Sequence, residues 1–159
     1  MTNFFEYKIS DELLDNPLLP KSDINKYDIE DLFILVEDKI NEFINACSRY
    51  PYINKPVFTR KLEIRYEQFN SYYNSNAMNN NDKKIDTKLF INNLYSMICV
   101  SLTSLSKDEF LYFLDCLYFK KSENTYIDTY KITRYLFKPI KASCIIKLAR
   151  GLNLIDIDN

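Results

Sequence analysis

A single glycine, Gly151, serves a chain of 159 residues. Glycine takes positive φ without steric cost, so tight hairpins, bulges and phosphate-cradling loops draw on it. A chain with one glycine is a poor candidate for a Rossmann fold, a P-loop fold or a sheet of short hairpins. It suits helices joined by polar loops. Gly151 closes an apolar-periodic run and reads as a helix C-cap, where left-handed geometry is wanted.

The hydrophobic spacing supports that class. Residues 28–49 place Ile29, Leu32, Phe33, Val36, Ile40, Phe43, Ile44 and Cys47 on one helical face. Glu30, Asp31, Glu37, Asp38 and Glu42 lie on the other, and Pro51 ends the run. A second long helix is expected over 85–105, with Leu89, Phe90, Leu94, Met97, Ile98, Ser101, Leu102 and Leu105 inward. Next comes Ser106-Lys107-Asp108-Glu109, a capping box opening a helix over 107–119. Phe110, Phe113, Leu114, Leu117 and Tyr118 form its buried side. A fourth helix opens at Thr125 or Tyr126 and ends near Leu136. Phe137-Lys138 reads as a turn, with Pro139 at the first position of a fifth helix.

The expected fold is therefore all-α: a helical bundle with a C-terminal helix-turn-helix and an irregular N-terminal arm. Residues 1–73 form the arm and a support or partner-binding region. Residues 74–84, which open on Asn74-Ser75-Asn76-Ala77-Met78-Asn79, form a flexible polar loop. Residues 85–159 form the helix-turn-helix domain. The segment 57–73, which mixes Arg60, Lys61 and Arg65 with Phe58, Tyr66 and Phe69, reads as a half-buried helix.

The chain has no histidine, which removes most nucleophile–base pairs and most zinc sites. Its four cysteines are widely spaced within apolar runs and read as buried thiols. Asp108 and Glu109 are explained by capping. No enzyme, metal or cofactor is expected. The N-terminus lacks the basic start and apolar run of a signal peptide, and no stretch is apolar enough to span a membrane, so the expected location is the cytoplasm.

Charge is unevenly spread. Residues 1–50 carry five basic and eleven acidic groups, whereas 129–151 carry six basic and none acidic. Two short helices, a turn and local positive charge are what a helix-turn-helix needs on DNA. The fifth helix would be the recognition helix, with Lys138, Lys141, Ser143, Lys147 and Arg150 as contacts and Lys131 and Arg134 reaching phosphates. Ser143, Lys147 and Arg150 fall together, opposite the apolar stripe of that helix.

Residues 92–154 resemble the C-terminal region of the ArpU/RinA-type phage transcription regulators. The resemblance rests on the helix leading into Leu102-Thr103-Ser104-Leu105-Ser106, on the apolar run Phe113-Leu114-Asp115-Cys116-Leu117-Tyr118 and on Cys144-Ile145 and Leu148-Ala149. It implies a helix-turn-helix like promoter-reading region 4 of sigma factors. It further implies activation of phage late genes on double-stranded promoter DNA, with RNA polymerase as partner. The acidic N-terminal helix, basic in many such relatives, points toward protein. Its stripe of Ile29, Phe33, Val36, Ile40 and Phe43 is the expected partner-binding surface, a homodimer included. The alternative is a small helical adaptor of phage or viral origin that binds a host or phage protein without binding DNA.

Overall fold

A computed structural model describes residues 16–49, 58 and 82–156. The irregular arm up to residue 15, most of the aromatic and basic segment 57–73 and the polar loop from 74 to 81 lie outside the described residues. The protein is all-α, with six α-helices and no strand among the described residues. They are α1 (Lys21–Ile24), α2 (Ile29–Ser48), α3 (Asp82–Leu102), α4 (Lys107–Tyr112), α5 (Glu123–Tyr130) and α6 (Arg134–Gly151), and a π-helical segment, Phe113–Tyr118, continues α4.

α2 begins where its sequence dictates. Asp28 caps it by accepting from the Asp31 amide at 3.2 Å, and Glu30 and Asp31 sit at the positive end of the helix dipole. Leu32, Val36, Ile40, Phe43 and Cys47 are buried at helical spacing. Fully burying each such apolar side chain contributes about 1.5–3 kcal/mol before chain entropy is charged.

α3 buries Leu94, Ile98, Ser101 and Leu102 as expected, but adds Ile91, Tyr95 and Cys99, while Leu89 and Phe90 are exposed. The helix is apolar around most of its circumference, so more than one stripe fits a three-four spacing. The pair Ile91 and Tyr95 wins because Tyr95 stacks on Phe43 of α2, with ring centroids 5.9 Å apart. Phe58 completes that cluster, 4.8 Å from Tyr118 and 5.4 Å from Phe113.

α4 opens on the capping box. The Glu109 amide donates to Ser106 Oγ at 3.1 Å, and the Ser106 amide donates to Glu109 Oε1 at 2.8 Å. Every residue from Glu109 to Tyr118 is buried, so this is the central helix of the bundle. It widens into π geometry at Phe113 and ends with the Phe119 amide bonded to the Leu114 carbonyl at 2.8 Å.

The main correction to the expected fold lies at its C-terminal end. No turn occurs at Phe137-Lys138. α5 ends at Tyr130, residues 131–133 connect, and α6 runs unbroken from Arg134 through Pro139 to Gly151. The proline is accommodated because it falls in the exposed beginning of the helix. Its missing N–H would have bonded the carbonyl of Tyr135, a residue 78% exposed, in the first turns of the helix rather than in its buried half.

Gly151 is not a left-handed cap either, since no glycine has positive φ. It is the last residue of α6 and touches α3. A Cβ there would fall 1.6 Å from Ser101 Oγ, so the glycine allows the two helices to approach. The left-handed cap is Asn153, at φ 58°. Its amide bonds the Arg150 carbonyl and the Leu154 amide bonds the Ala149 carbonyl at 2.8 Å, a Schellman closure. Among the described residues Lys120 and Lys131 take the other two positive-φ positions, at 60° and 53°.

The second half of α6 is enclosed by α1, α2, α3 and α4. Cys144, Ile145, Ile146, Leu148 and Ala149 are fully buried there. α2 from the N-terminal region and α3 to α6 from the C-terminal region meet in this one core.

Candidate nucleic-acid interface

The seven basic and polar residues expected at DNA separate into two groups. Burial removes Ser143 and Lys147 from the surface. Ser143 is fully buried and its Oγ accepts from the Leu19 amide at 2.9 Å. Lys147 lies beneath the segment that precedes α1. Its Nζ donates to Glu109 Oε1 at 2.7 Å and to the Pro17 carbonyl at 2.8 Å. Asn16 anchors the same segment by donating to the Thr103 and Leu105 carbonyls, each at 3.0 Å. The face taken as solvent-exposed is thus covered by residues 16–19. Sequence spacing placed Ser143 and Lys147 together correctly but on the wrong side of the surface.

Lys141 is engaged as well. Its Nζ lies 3.0 Å from Glu123 Oε2, 3.5 Å from Glu30 Oε1 and 4.8 Å from the centre of the Phe33 ring. It ties α6 to both α2 and α5. Tyr112 donates to the same Glu123 oxygen at 2.7 Å, so the carboxylate is held from two sides. Burial, and next that hydrogen bond, raise the Tyr112 phenol well above its ordinary value. Arg150 is half-buried, with its Nε enclosed and unpartnered.

Lys131, Arg134 and Lys138 stay at the surface, and none is in an ion pair among the described residues. They occupy one corner of the fold. α5 is eight residues long and is capped by Ser122, whose Oγ accepts from the Thr125 amide at 3.1 Å. Lys131 then turns left-handed and the Ile132 amide bonds back to the Ile127 carbonyl at 3.0 Å. α6 starts after Thr133. Tyr126 holds the corner to the bundle by donating to the Asp108 carbonyl at 2.7 Å, and its ring meets Tyr112 edge-on at 5.5 Å. Arg134 and Lys138, four apart, share one face of α6. Beside them Tyr135 and Leu136 are exposed, the former by 78%.

What the sequence pattern misses is the start of α6, not the exposure of Tyr135, whose hydroxyl already reads as a phosphate donor. The signal for that start is Thr133, a good N-cap type, standing just before Arg134. Pro139 outweighed it, because a proline is read as a helix start before it is read as an interior residue.

The expected partner-binding stripe is also core. Val36, Ile40 and Phe43 are fully buried, and Ile29 and Phe33 pack half-buried against the same cluster. The correction has a simple cause: α3, the π segment and α6 use the stripe that an assembly was expected to use.

All four cysteines are free and buried. Burial pushes the Cys47, Cys99 and Cys116 thiols up to about 12 and Cys144 well above its ordinary value. Cys144 donates to the Glu109 carbonyl at 3.4 Å. Among the described residues no cluster of three or more ligating side chains could hold a metal ion, and no helix is long and apolar enough to cross a membrane. Comparison with protein-family models, with curated proteins and with solved structures finds no match.

Proposed function

We propose that this protein binds double-stranded DNA through the corner formed by α5, residues 131–133 and the start of α6, and that it regulates transcription. The single observation that carries the reading is the form of that corner. A short helix, a three-residue turn with a left-handed first residue and a second helix with an exposed beginning are the parts of a helix-turn-helix. The recognition helix of such a unit presents its N-terminal residues to base edges. Here those residues are Arg134, Tyr135 and Lys138, all exposed, with no Asp or Glu between 129 and 151.

Roles follow from chemistry. Arg134 has the planar fork that reads guanine in the major groove. Lys131 and Lys138 neutralise phosphates, and the Tyr135 hydroxyl donates to a phosphate or a base edge. The buried half of α6 holds that short exposed surface rigid. The resemblance to phage late regulators extends the proposal to activation at a promoter together with RNA polymerase. An adaptor acting through Ile29, Phe33, Val36, Ile40 and Phe43 has no exposed stripe to act with.

A pull-down of DNA fragments from the parent genome at low and high salt tests the reading. Binding should be strong at low salt, fall steeply at high salt and disappear in the Arg134→Glu/Lys138→Glu variant. Absence of binding, or binding that survives the double reversal, overturns it.

A further inference from the structure

The outer sides of α2 and of the start of α6 are chemical counterparts. On α2, Asp31, Ile34, Leu35 and Asp38 face outward, and neither aspartate is in an ion pair among the described residues. Ile34 is 56% exposed and Leu35 45%. On α6, Arg134, Tyr135 and Lys138 are exposed on one side, with two unpaired charges of the opposite sign beside the Tyr135 ring, while Leu136 is exposed on another side of the same turn. A single exposed leucine or isoleucine is ordinary. An exposed apolar pair between two unpaired acids, with an exposed aromatic ring between two unpaired bases on a neighbouring helix, is not.

The two patches also adjoin. The contact of Lys141 with Glu30 at 3.5 Å fixes the first turn of α2 against α6 one turn past Lys138. A surface carrying positive and negative patches side by side is complementary to itself under a two-fold rotation, the symmetry of most homodimers.

We propose that a second copy of this chain docks here, with Asp31 and Asp38 of each copy facing Arg134 and Lys138 of the other and with Ile34, Leu35 and Tyr135 enclosed between them. A second copy is the fitting occupant because the matching patch lies on the chain itself. The inference stands apart from DNA binding. If the corner also holds DNA, duplex and second copy compete for Arg134 and Lys138, so the dimer is the form that cannot bind.

Sedimentation equilibrium of the full chain without DNA tests it. The apparent mass should rise from monomer toward dimer with concentration at about 0.05 M NaCl and return to monomer at about 1 M, where the screening length is about 3 Å. Asp31→Lys/Asp38→Lys and Arg134→Glu/Lys138→Glu should each be monomeric, with association at least tenfold weaker. An equal mixture of the two should associate again, since one now offers only basic and the other only acidic patches. Should either reversal fail to fold, by circular dichroism, the Asp31→Asn/Asp38→Asn and Arg134→Gln/Lys138→Gln variants carry the same monomeric expectation. A wild-type chain that stays monomeric throughout overturns the proposal. So does association indifferent to salt or to these substitutions, and so does a mixture that remains monomeric.

Discussion

Replacing Lys147 by methionine separates a core lysine from a DNA-contacting one. The side chain of Lys147 is 8% exposed and that of Glu109, its partner at 2.7 Å, is fully buried. Methionine fills the volume of the lysine stem but leaves the Glu109 carboxylate enclosed with one partner fewer, and its other oxygen already has none. It also removes the bond that holds the Pro17 carbonyl over α6. Removing one member of a buried pair costs about 3–5 kcal/mol, because the charge left behind is uncompensated. For a chain of this length that lowers the melting temperature by about 10 °C.

Glu109→Gln added to Lys147→Met neutralises the stranded charge and keeps an oxygen for the Ser106 amide. The double variant should therefore recover at least half of the loss, a coupling that a double-mutant cycle reads directly. Urea unfolding followed by circular dichroism gives each stability. A loss below about 1 kcal/mol for Lys147→Met, the range of an exposed pair, would refute the reasoning. A full-strength loss also means that charge reversal at Lys147 reports on the core and says nothing of DNA.

Four further outcomes follow from the same structure. Gly151→Ala should destabilise by about 1–3 kcal/mol through overlap with Ser101, and Ser101→Gly in the same chain should recover most of it, as thermal melts would record. Lys120→Gly relieves a left-handed lysine at a position clear of the proposed interface and should raise stability by about 0.5–1 kcal/mol. The folded protein should resist thiol alkylation at neutral pH and react at all four cysteines once unfolded. The folded thiols of Cys47, Cys99 and Cys116 titrate near 12 against 9.0 in the free side chain, so that contribution is intact below pH 9. Stability should then fall as pH rises toward 12.

The parts of the fold legible in sequence were those set by local chemistry. The α2 stripe and the box of Ser106 and Glu109 each follow from a few neighbouring residues, and each stands where the pattern put it. What escaped the sequence depends on distant residues. Pro139 reads as a helix start because nothing local reveals that the helix already begins at Arg134 and runs on through the proline. Lys147 reads as surface because a lysine is rarely enclosed unless paired, and its pair lies 38 residues away in the chain. Gly151 reads as a cap because glycine usually takes positive φ at a helix end, whereas here Ser101 on another helix demands it. The same blindness counted the buried Ser143 and Lys147 among the expected contacts, whereas Lys131, Arg134 and Lys138, expected with them, do lie at the surface.

The central claim is that Lys131, Arg134 and Lys138 meet DNA while Lys147 does not. Its most direct test is the slope of log binding constant against log salt, measured by fluorescence anisotropy on a labelled duplex. Changing Lys131, Arg134 and Lys138 to alanine together should weaken binding and flatten the slope by about 0.9 for each phosphate no longer neutralised, close to two in all for Lys131 and Lys138. A slope unchanged by that triple substitution, or a wild-type chain that does not bind the duplex, contradicts the account.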